Sequence, residues 1–445
     1  MSRKNVACMI VILALIFAVG LIAAACKGNE PDASRPTSAP TDNSGKTQTV
    51  ENTPKAQLAE SDDKGDYDNA FRNLDSVCIM ETDEVYYYHS MDSAFLYYTG
   101  KEALDSGVLC GRPECLHDEL CPNMECDGFV YTALMGLSLY DDGIWYVGYG
   151  NVRHQYALYR MDLDGSNRKA VRVVVDDATE MGYAWQRTFV HRGKLYLTAR
   201  RNYVENAVPF EEVSLWYCGV KSGELKQVFA VSYQDRGTEL KLCFRGDSVY
   251  AMFSSTDYDN FDSTVEIIRF DAKTEQTETL CHMGSLDMGM GDIWVAEDGT
   301  IYTTTMADER YKPLGLYRLE GGELKLVYDF SEENLGYTYQ AWIFDKYVLA
   351  YYAEKTPEGY ETGFLLIKDF EGNTVFNGKL PMENVNSLGV EYDSLAFSGI
   401  ASKGDSIFVP FLLEKDSGRG SAAVVRYEIT PDGLEETLIG VMKWG

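Results

Sequence analysis

The stretch that decides the fold is Leu137–Val174, which reads LSLYDDGIWYVGYGNVRHQYALYRMDLDGSNRKAVRVV. It contains four short runs of alternating apolar residues separated by turn residues, which predicts a four-stranded antiparallel meander. Asp142 and Gly143 are predicted to form the first hairpin turn, because Gly accepts the positive φ of a type I′ turn without a steric cost. The segment Asp164–Asn167 is predicted to form a second turn.

The aromatic-centred second strand of this meander recurs along the chain at intervals of 46 to 60 residues. The copies start at Asp83, Gly143, Gly193, Asp247, Gly299, Asp345 and Asp405. A third strand follows every copy, and a fourth strand is visible after all but the first. One such unit cannot bury both of its faces, whereas units stacked in a closed ring do so. The sequence therefore predicts an all-β fold, a β-propeller of seven four-stranded blades over residues 71–445. A pair of β-sandwich domains is the rival interpretation.

The segment YALYRMDLDGSNRKAV, Tyr156–Val171, resembles the repeat of YWTD-like and TolB-like propellers, in which a strand ends in a D-x-D-G-S turn. Together with the N-terminal and cysteine-rich segments described below, the chain resembles a group of exported propeller lipoproteins of Gram-positive anaerobes, many with a DUF5050-like domain. This resemblance implies a fold and a cellular location, and it implies no activity.

Residues 1–25 have the pattern of an export signal: a basic start, the apolar run Val6–Ile22 and a short series of small residues. These residues end at Cys26 and resemble the lipobox of bacterial lipoproteins, although Ala23 stands where Leu is usual. The resemblance implies that Cys26 is lipidated and holds the chain at the extracytoplasmic face of the cell membrane. An uncleaved N-terminal anchor is the alternative.

Residues 26–70 are predicted to form a flexible polar tether. From Lys27 to Asp66 the chain contains no Phe, Trp or Tyr, so it has too little apolar surface to offset the entropy of ordering. The whole chain is strongly acidic, with 69 Asp and Glu against 40 Lys and Arg and a net charge of −29. An acidic surface repels phosphate backbones, which excludes nucleic acid as a partner.

Residues 109–128, the cysteine segment, read LCGRPECLHDELCPNMECDG and form a predicted insertion between the first and second blades. The candidate metal ligands are Cys110, Cys115, His117, Cys121 and Cys126. Thiolates and an imidazole suit a structural Zn²⁺ site, formed by the first three residues with one or both of the remaining cysteines.

Two alternatives stay open for the cysteine segment. Its four cysteines can form two disulfides, the usual state of cysteines in exported proteins. A reactive thiol with His117 as its base is the third hypothesis. The remaining cysteines of the ring occur singly in predicted strands and are interpreted as small buried apolar residues: Cys78, Cys218, Cys243 and Cys281.

Oxygen ligands at alternating positions make Asp162, Asp164 and Asn167 weak candidates for a cation site. The segment lacks the twelfth-position Glu of an EF-hand loop, and an ordinary turn explains it equally well. Four tryptophans are predicted to pack between blades: Trp145, Trp216, Trp294 and Trp342. Trp185 is predicted to lie in a connection at the mouth of the channel, where an aromatic ring can stack on a sugar.

The sequence contains none of the familiar nucleotide-binding, nucleophile-elbow or zinc-protease motifs. The leading hypothesis is a lipid-anchored, monomeric, non-enzymatic binding module for a protein, peptide or glycan, presented on the loops of a rigid ring. A cell-surface carbohydrate-active hydrolase or lyase is the second hypothesis. A structural envelope component is the third.

Overall fold

The computed structural model shows an almost entirely β protein. The residues that it describes are 77–90, 93–112, 114–115, 117, 125–130, 132–234, 237–257, 262–286, 289–306, 315–333, 335, 337–357, 359–389, 392–393, 401–413 and 421–443. The predicted signal, the predicted tether and Cys26 lie outside these ranges. No helix within the ranges is long and apolar enough to cross a membrane.

The first three blades occupy residues 77–234. Blade 1 consists of β1 (Val77–Glu81), β2 (Val85–Ser90), β3 (Tyr97–Gly100) and β4 (Ser106–Val108). Blade 2 consists of β5 (Thr132–Tyr140), β6 (Gly143–Tyr149), β7 (Tyr156–Asp162) and β8 (Lys169–Val175). Blade 3 consists of β9 (Ala184–His191), β10 (Lys194–Glu205), β11 (Val208–Gly219) and β12 (Lys226–Gln234).

The next two blades follow without a change of topology. Blade 4 consists of β13 (Gly237–Arg245), β14 (Ser248–Asp257), β15 (Asp262–Asp271) and β16 (Gln276–Leu286). Blade 5 consists of β17 (Gly289–Val295), β18 (Ile301–Met306), β19 (Gly315–Glu320) and β20 (Glu323–Asp329), and the 3-10 turn Phe330–Glu333 follows it.

The last two blades end the described chain. Blade 6 consists of β21 (Tyr337–Phe344), β22 (Tyr347–Thr356), β23 (Gly359–Asp369) and β24 (Thr374–Lys379), followed by the short helix α1 (Glu383–Asn386). Blade 7 consists of β25 (Tyr392–Asp393), β26 (Ala401–Lys403), β27 (Ser406–Leu413), β28 (Ser421–Thr430) and β29 (Gly433–Lys443). Both β25 and β26 pair with the same neighbour, β27.

Each blade is an antiparallel sheet built from consecutive strands, so no blade borrows a strand from a distant part of the chain. Blades 2 and 3 are also joined into one eight-stranded sheet by a parallel bridge between Met135 and Arg187. The consecutive order confirms the predicted meander and the β-propeller fold.

The apolar cores lie between the blades. One cluster joins blades 1 and 2, a second joins blades 2 and 3, and the series continues around the ring through blades 6 and 7. A further cluster contains side chains from blade 1, such as Tyr88, together with Phe408 and Met442 from blade 7. The first and last blades are therefore packed against each other, which closes the ring.

The predicted turn at Gly143 is wrong by one residue. Tyr140 pairs with Gly143, so the two-residue turn is Asp141-Asp142, with φ of 51° and 52°. Gly143 is the first residue of β6, where a Cβ would lie 2.8 Å from Nε of Arg160. A close approach between strands, and not a positive φ, therefore explains this glycine.

Two further corrections concern blades 1 and 3. Blade 1 has a fourth strand, β4, which the sequence pattern missed because it is only three residues long. Trp185 does not lie in an open connection but in β9, where it is buried. Its ring lies 5.6 Å from that of Trp216, in the cluster between blades 2 and 3. The other tryptophans lie in strands, as predicted: Trp145, Trp216, Trp294 and Trp342.

Candidate metal centre and a pocket beside the ring seam

The cysteine segment brings four potential metal ligands together. The ligand atoms of Cys110, Cys115, His117 and Cys126, here called the cysteine cluster, all lie within 4.8 Å of one another. Cys121, the fifth predicted ligand, lies outside the described residues. Among the described residues the structure therefore gathers three thiols and one imidazole, a set that is able to bind a metal ion.

The sulfur atoms are spaced as separate thiols. Sγ of Cys126 lies 3.6 Å from Sγ of Cys110, far beyond the ~2.05 Å of a disulfide bond. In a tetrahedral zinc site with Zn–S bonds of ~2.3 Å, two sulfurs lie about 3.8 Å apart. The observed distance therefore fits shared coordination of one ion, and the described cysteines are free thiols in this structure.

Backbone hydrogen bonds to blade 1 hold both ends of the cysteine segment. Leu109 donates its N–H to the carbonyl of Leu96 at 2.8 Å, and Leu96 donates to Gly128 at 3.0 Å. Beyond the segment, Val130 donates to Ala94 at 2.9 Å. These bonds place Cys110 and Cys126 side by side, because the two arms of the segment border the same stretch of blade 1.

An ion pair closes the two arms of the segment. The Arg112 guanidinium donates to both carboxylate oxygens of Asp127, at 3.3 and 3.4 Å. Asp127 is buried but the Arg112 side chain is exposed, so solvent screens this pair from the arginine side. This pair was not predicted from the sequence, although an arginine two positions after the first cysteine and an aspartate directly after the last one were a visible signal.

The two outer thiols of the cluster differ in acidity. Burial tends to raise the pKa of the Cys110 thiol, but hydrogen bonds with His117, with the backbone of Arg112 and Gly128 and with Cys126 outweigh it and lower the pKa to about 6. Burial, followed by hydrogen bonds with Cys115 and Cys110, raises the pKa of Cys126 to about 12. A bound cation favours the thiolate form of both, since metal coordination displaces the thiol protons.

The cysteine segment also contacts blade 2. The Gly111 N–H donates to the carbonyl of Gly165 at 3.3 Å, and Arg168 donates to the carbonyl of Phe129. A Cβ at Gly165, which has φ of 82°, would lie 2.9 Å from N of Cys110. The second predicted turn of the fold-deciding stretch therefore lies directly against the first cysteine.

The weak cation candidates form hydrogen bonds within that turn. Asp162 accepts from Nδ2 of Asn167 at 2.7 Å and from Arg160, and Asp164 accepts from the N–H of Ser166 at 2.9 Å. The side-chain bond from Asn167 is the main cause of the lowered pKa of Asp162. The side-chain bond from Ser166, followed by its backbone bond, is the main cause of the lowered pKa of Asp164.

Two histidines outside the cysteine cluster contact backbone carbonyls. His89 and His191 are buried, and their Nε2 atoms contact the carbonyls of Val130 at 3.2 Å and Gly246 at 2.7 Å. Desolvation lowers the pKa of His89 to about 4. His89 is thus a neutral side chain that anchors the residue beyond the cysteine segment.

A polar pocket of 570 Å³ lies where blades 1, 2 and 7 meet. Its lining combines carboxylates, two lysines and one aromatic ring, and includes Glu81, Asp83, Lys101, Tyr140, Asp141, Asp142 and Lys403. Glu81 accepts from Nζ of Lys101 at 2.7 Å and lies 3.2 Å from Nζ of Lys403. Both lysines are therefore paired with one carboxylate, and the lining retains an excess of negative charge.

No protein-family model matches the chain, and a search of the curated proteins finds no match. Solved structures with similar folds include the acylaminoacyl peptidase of Pyrococcus horikoshii, with a TM-score of 0.45, 12% identity and coverage of 84% of this chain. This chain spans only 53% of that peptidase.

The β-propeller domain of the Trilobed protease from Pyrococcus furiosus has a TM-score of 0.41 and 12% identity, with 83% of this chain and 97% of that domain covered. The polysaccharide lyase Uly1 has a TM-score of 0.43 and 11% identity, with 84% and 92% covered. These proteins are similar to this chain at a level that carries no inference about activity.

Proposed function

We propose that this chain is an exported, lipid-anchored β-propeller that acts as a binding module at the extracytoplasmic face of the membrane. The N-terminal sequence supports the location, because a signal-like segment ends at Cys26 and a polar tether follows. Two or more acyl chains on Cys26 provide stable anchoring, since a single chain binds membranes only marginally. The ring acts as a monomer, and its partner is a protein, peptide or glycan.

The polar pocket where blades 1, 2 and 7 meet is the observation that supports the binding role. Its volume of 570 Å³ lies within the range of small-molecule sites. Asp83 and Asp142 leave the lining acidic after the two lysines pair with Glu81 and Lys221 pairs with Asp141 at 3.3 Å. Tyr140 offers an aromatic ring. This combination suits a hydroxylated or cationic segment, such as an amino sugar or a lysine side chain, and it disfavours phosphate.

Binding is tested by probing glycan and peptide arrays with the mature chain in detergent micelles. We expect retention of amine-bearing probes, and Asp142→Asn combined with Asp83→Asn weakens it. As a matched control, Asp298→Asn removes an exposed carboxylate at a turn of blade 5, far from the pocket lining, and leaves retention unchanged. Equal retention by the pocket variant would contradict the assignment.

A carbohydrate-active hydrolase or lyase is the second candidate, because several carboxylates line the same pocket and most glycoside hydrolases employ a carboxylate pair. The same glycan array distinguishes the two roles. New reducing ends or unsaturated sugars formed by the wild type, and not by the pocket variant, would identify an enzyme. Retention without chemical change supports the binding module.

We also propose that the cysteine cluster holds one Zn²⁺ as a structural ion. Cys110, Cys115, His117 and Cys126 provide the S₃N set that structural zinc sites use. A filled four-ligand site leaves no open position for substrate, so the ion contributes to folding and not to catalysis.

Elemental analysis with thiol counting tests this assignment on the full chain in detergent. We expect one zinc per chain, with its cysteine thiols protected from alkylation until a chelator is added. Chains without metal, with two disulfides within residues 109–128, would contradict it. Labelling with a clickable fatty acid tests the anchor separately, and Cys26→Ser abolishes the label and releases the chain from the membrane.

A further inference from the structure

The joint between blades 7 and 1, here called the seam, is unlike the other joints of the ring. The chain does not pass directly from blade 7 to blade 1, and no strand of either blade is shared. Propeller rings must bring their two ends together, and a strand exchanged between the first and last blades is one means of doing so. The described residues of this ring close without that exchange.

Side-chain contacts to the end of β29 hold the seam. Tyr97 Oη donates to the carbonyl of Lys443 at 3.1 Å and accepts from the N–H of Lys443 at 3.2 Å. Thr99 Oγ1 donates to the carbonyl of Ile439 at 2.8 Å. Hydroxyl groups of β3 in blade 1 therefore join it to the last strand of blade 7, and β3 lies next to the cysteine segment.

Phe95 and Ser93 connect the cysteine cluster to this seam. The Phe95 ring lies 6.0 Å from the His117 ring in an edge-on contact. Ser93 Oγ accepts from the N–H of Phe95 at 3.2 Å and lies 3.2 Å from the carbonyl of Lys443, to which it is able to donate. Only two residues thus separate a candidate metal ligand from the last strand of the ring.

The same apolar cluster contains both features. Cys126, fully buried, packs in one group with Phe95 and Phe129 and with Phe408 and Met442 of blade 7. Cys110 and Cys115 lie at the edge of this group. A metal ion bound by these cysteines would therefore lie beside the side chains that pack blade 1 against blade 7.

We infer that the metal ion of the cysteine cluster is the clasp of the ring: it orders the cysteine segment against Phe95 and so holds blade 1 in the position that blade 7 packs against. This inference rests on the proposed zinc site. The ion class is a thiophilic divalent cation such as Zn²⁺ or Cd²⁺, as the three sulfur ligands require. The metal then contributes what a shared strand contributes in a ring closed by strand exchange.

Hydrogen exchange of the full chain in detergent, with zinc bound and after removal by a chelator, tests the clasp. We expect peptides spanning β3 and the end of β29 to exchange on the order of tenfold faster without zinc, because local opening precedes global unfolding. Peptides of β13 and β14 in blade 4 serve as the internal control and keep their rates. Adding Zn²⁺ or Cd²⁺ restores the seam.

Ser93→Ala provides a second variant that leaves every metal ligand in place. We expect it to bind one zinc, to exchange faster at the end of β29 and to respond less to zinc removal than the wild type. Zinc binding without any change of exchange at the seam would overturn the clasp and leave the zinc site intact. Equal acceleration in blade 4 would also overturn it, since the ion would then support the whole ring. Absence of bound zinc would overturn the zinc site itself.

Discussion

The joint between blades 2 and 3 and the seam between blades 7 and 1 show two ways to hold neighbouring blades together. At the first joint the chain passes directly from β8 to β9, and the parallel bridge from Met135 to Arg187 merges two sheets. At the seam the two partners are more than 300 residues apart in sequence, for example Thr99 and Ile439. The seam lacks a connecting segment. Hydroxyl groups of Ser93, Tyr97 and Thr99 contact β29 there, and the cysteine cluster lies beside them.

At the seam, side-chain bonds take the place of the short connection that joins blades 2 and 3. Blades 2 and 3, which a short connection joins, have a high effective concentration. They are held by an apolar cluster that includes Trp145 and Trp185, and by the bond from the N–H of Val190 to Oγ of Ser138 at 2.9 Å. The seam must offset a larger loop-closure entropy, because its partners are far apart in sequence, and the hydroxyl bonds to β29 and the proposed metal site lie there.

The largest effect is expected from Cys126→Ala. Structural zinc contributes about 10–16 kcal/mol to folding in small peptides, so losing a ligand is expected to cost more than about 5 kcal/mol in zinc-containing buffer. Urea unfolding followed by intrinsic fluorescence measures it. Cys281→Ala removes an equally buried thiol from blade 4 and is expected to cost only ~1 kcal/mol. Similar losses in both variants would remove the distinction between the cluster and the other cysteines.

Trp185→Ala is expected to cost about 3–5 kcal/mol, the usual range for removing a buried aromatic side chain. Urea unfolding checks the cost, and hydrogen exchange locates it. Because the Met135–Arg187 bridge remains, exchange at the seam keeps its wild-type rate. Faster exchange at the end of β29 would show that the two joints are coupled, contrary to the comparison.

His89, in β2 of blade 1, gives the stability of the fold a pH dependence. The folded chain keeps it neutral down to its pKa of about 4, whereas an unfolded imidazole binds a proton below about 6.5. The unfolded state therefore gains protons first as the pH falls, and stability is lost from pH 6.5 to pH 4, by roughly 3 kcal/mol. Urea midpoints of wild type and His89→Gln, compared across this window, isolate the effect.

In that comparison the glutamine retains a donor for the Val130 carbonyl and does not titrate. His282→Gln, which makes the same replacement at an exposed imidazole of blade 4, provides the matched control for the substitution. Parallel profiles for wild type and His89→Gln would contradict the buried neutral imidazole.

The smallest effect is expected from Gly440→Ala, which introduces a steric clash at the seam. A Cβ at Gly440 would lie 2.1 Å from Oη of the buried Tyr88, so the tyrosine must shift at a cost of about 1–3 kcal/mol. Gly378 occupies the corresponding position of blade 6, and its Cβ would meet only ordinary contacts at 3.5 Å. Gly378→Ala should therefore be nearly neutral in the same urea titration. Equal costs would show that the seam is no tighter than the other joints.

Much of the fold could be predicted from the sequence because each blade is local. Runs such as GIWYVGY carry the alternation of a strand and the residues of its turn within a few positions, and they match β6 as observed. The first turn was predicted one residue too late, at Asp142 and Gly143, because a glycine can indicate either a positive φ or a close contact. Here it is required by a close contact with Arg160. Trp185 was misplaced because the residues before it resemble a loop.

The sequence predicted the residues of the candidate metal site but not its position in the fold. Residue type and spacing identified Cys110, Cys115, His117 and Cys126, since thiols and an imidazole in one short segment are informative wherever they lie. Their position at the seam was not predictable, because it depends on contacts with Lys443, more than 300 residues later. Contacts over such distances leave no periodic pattern in a single sequence.

X-ray absorption at the zinc edge on the full chain in detergent tests the central claim most directly. The account predicts one zinc per chain with three sulfur neighbours at ~2.3 Å and one nitrogen at ~2.0 Å, from Cys110, Cys115, Cys126 and His117. The nitrogen signal is lost in His117→Ala. Four sulfur neighbours would place Cys121 in the site instead of His117. A shell of oxygens, or no bound zinc, would contradict the account.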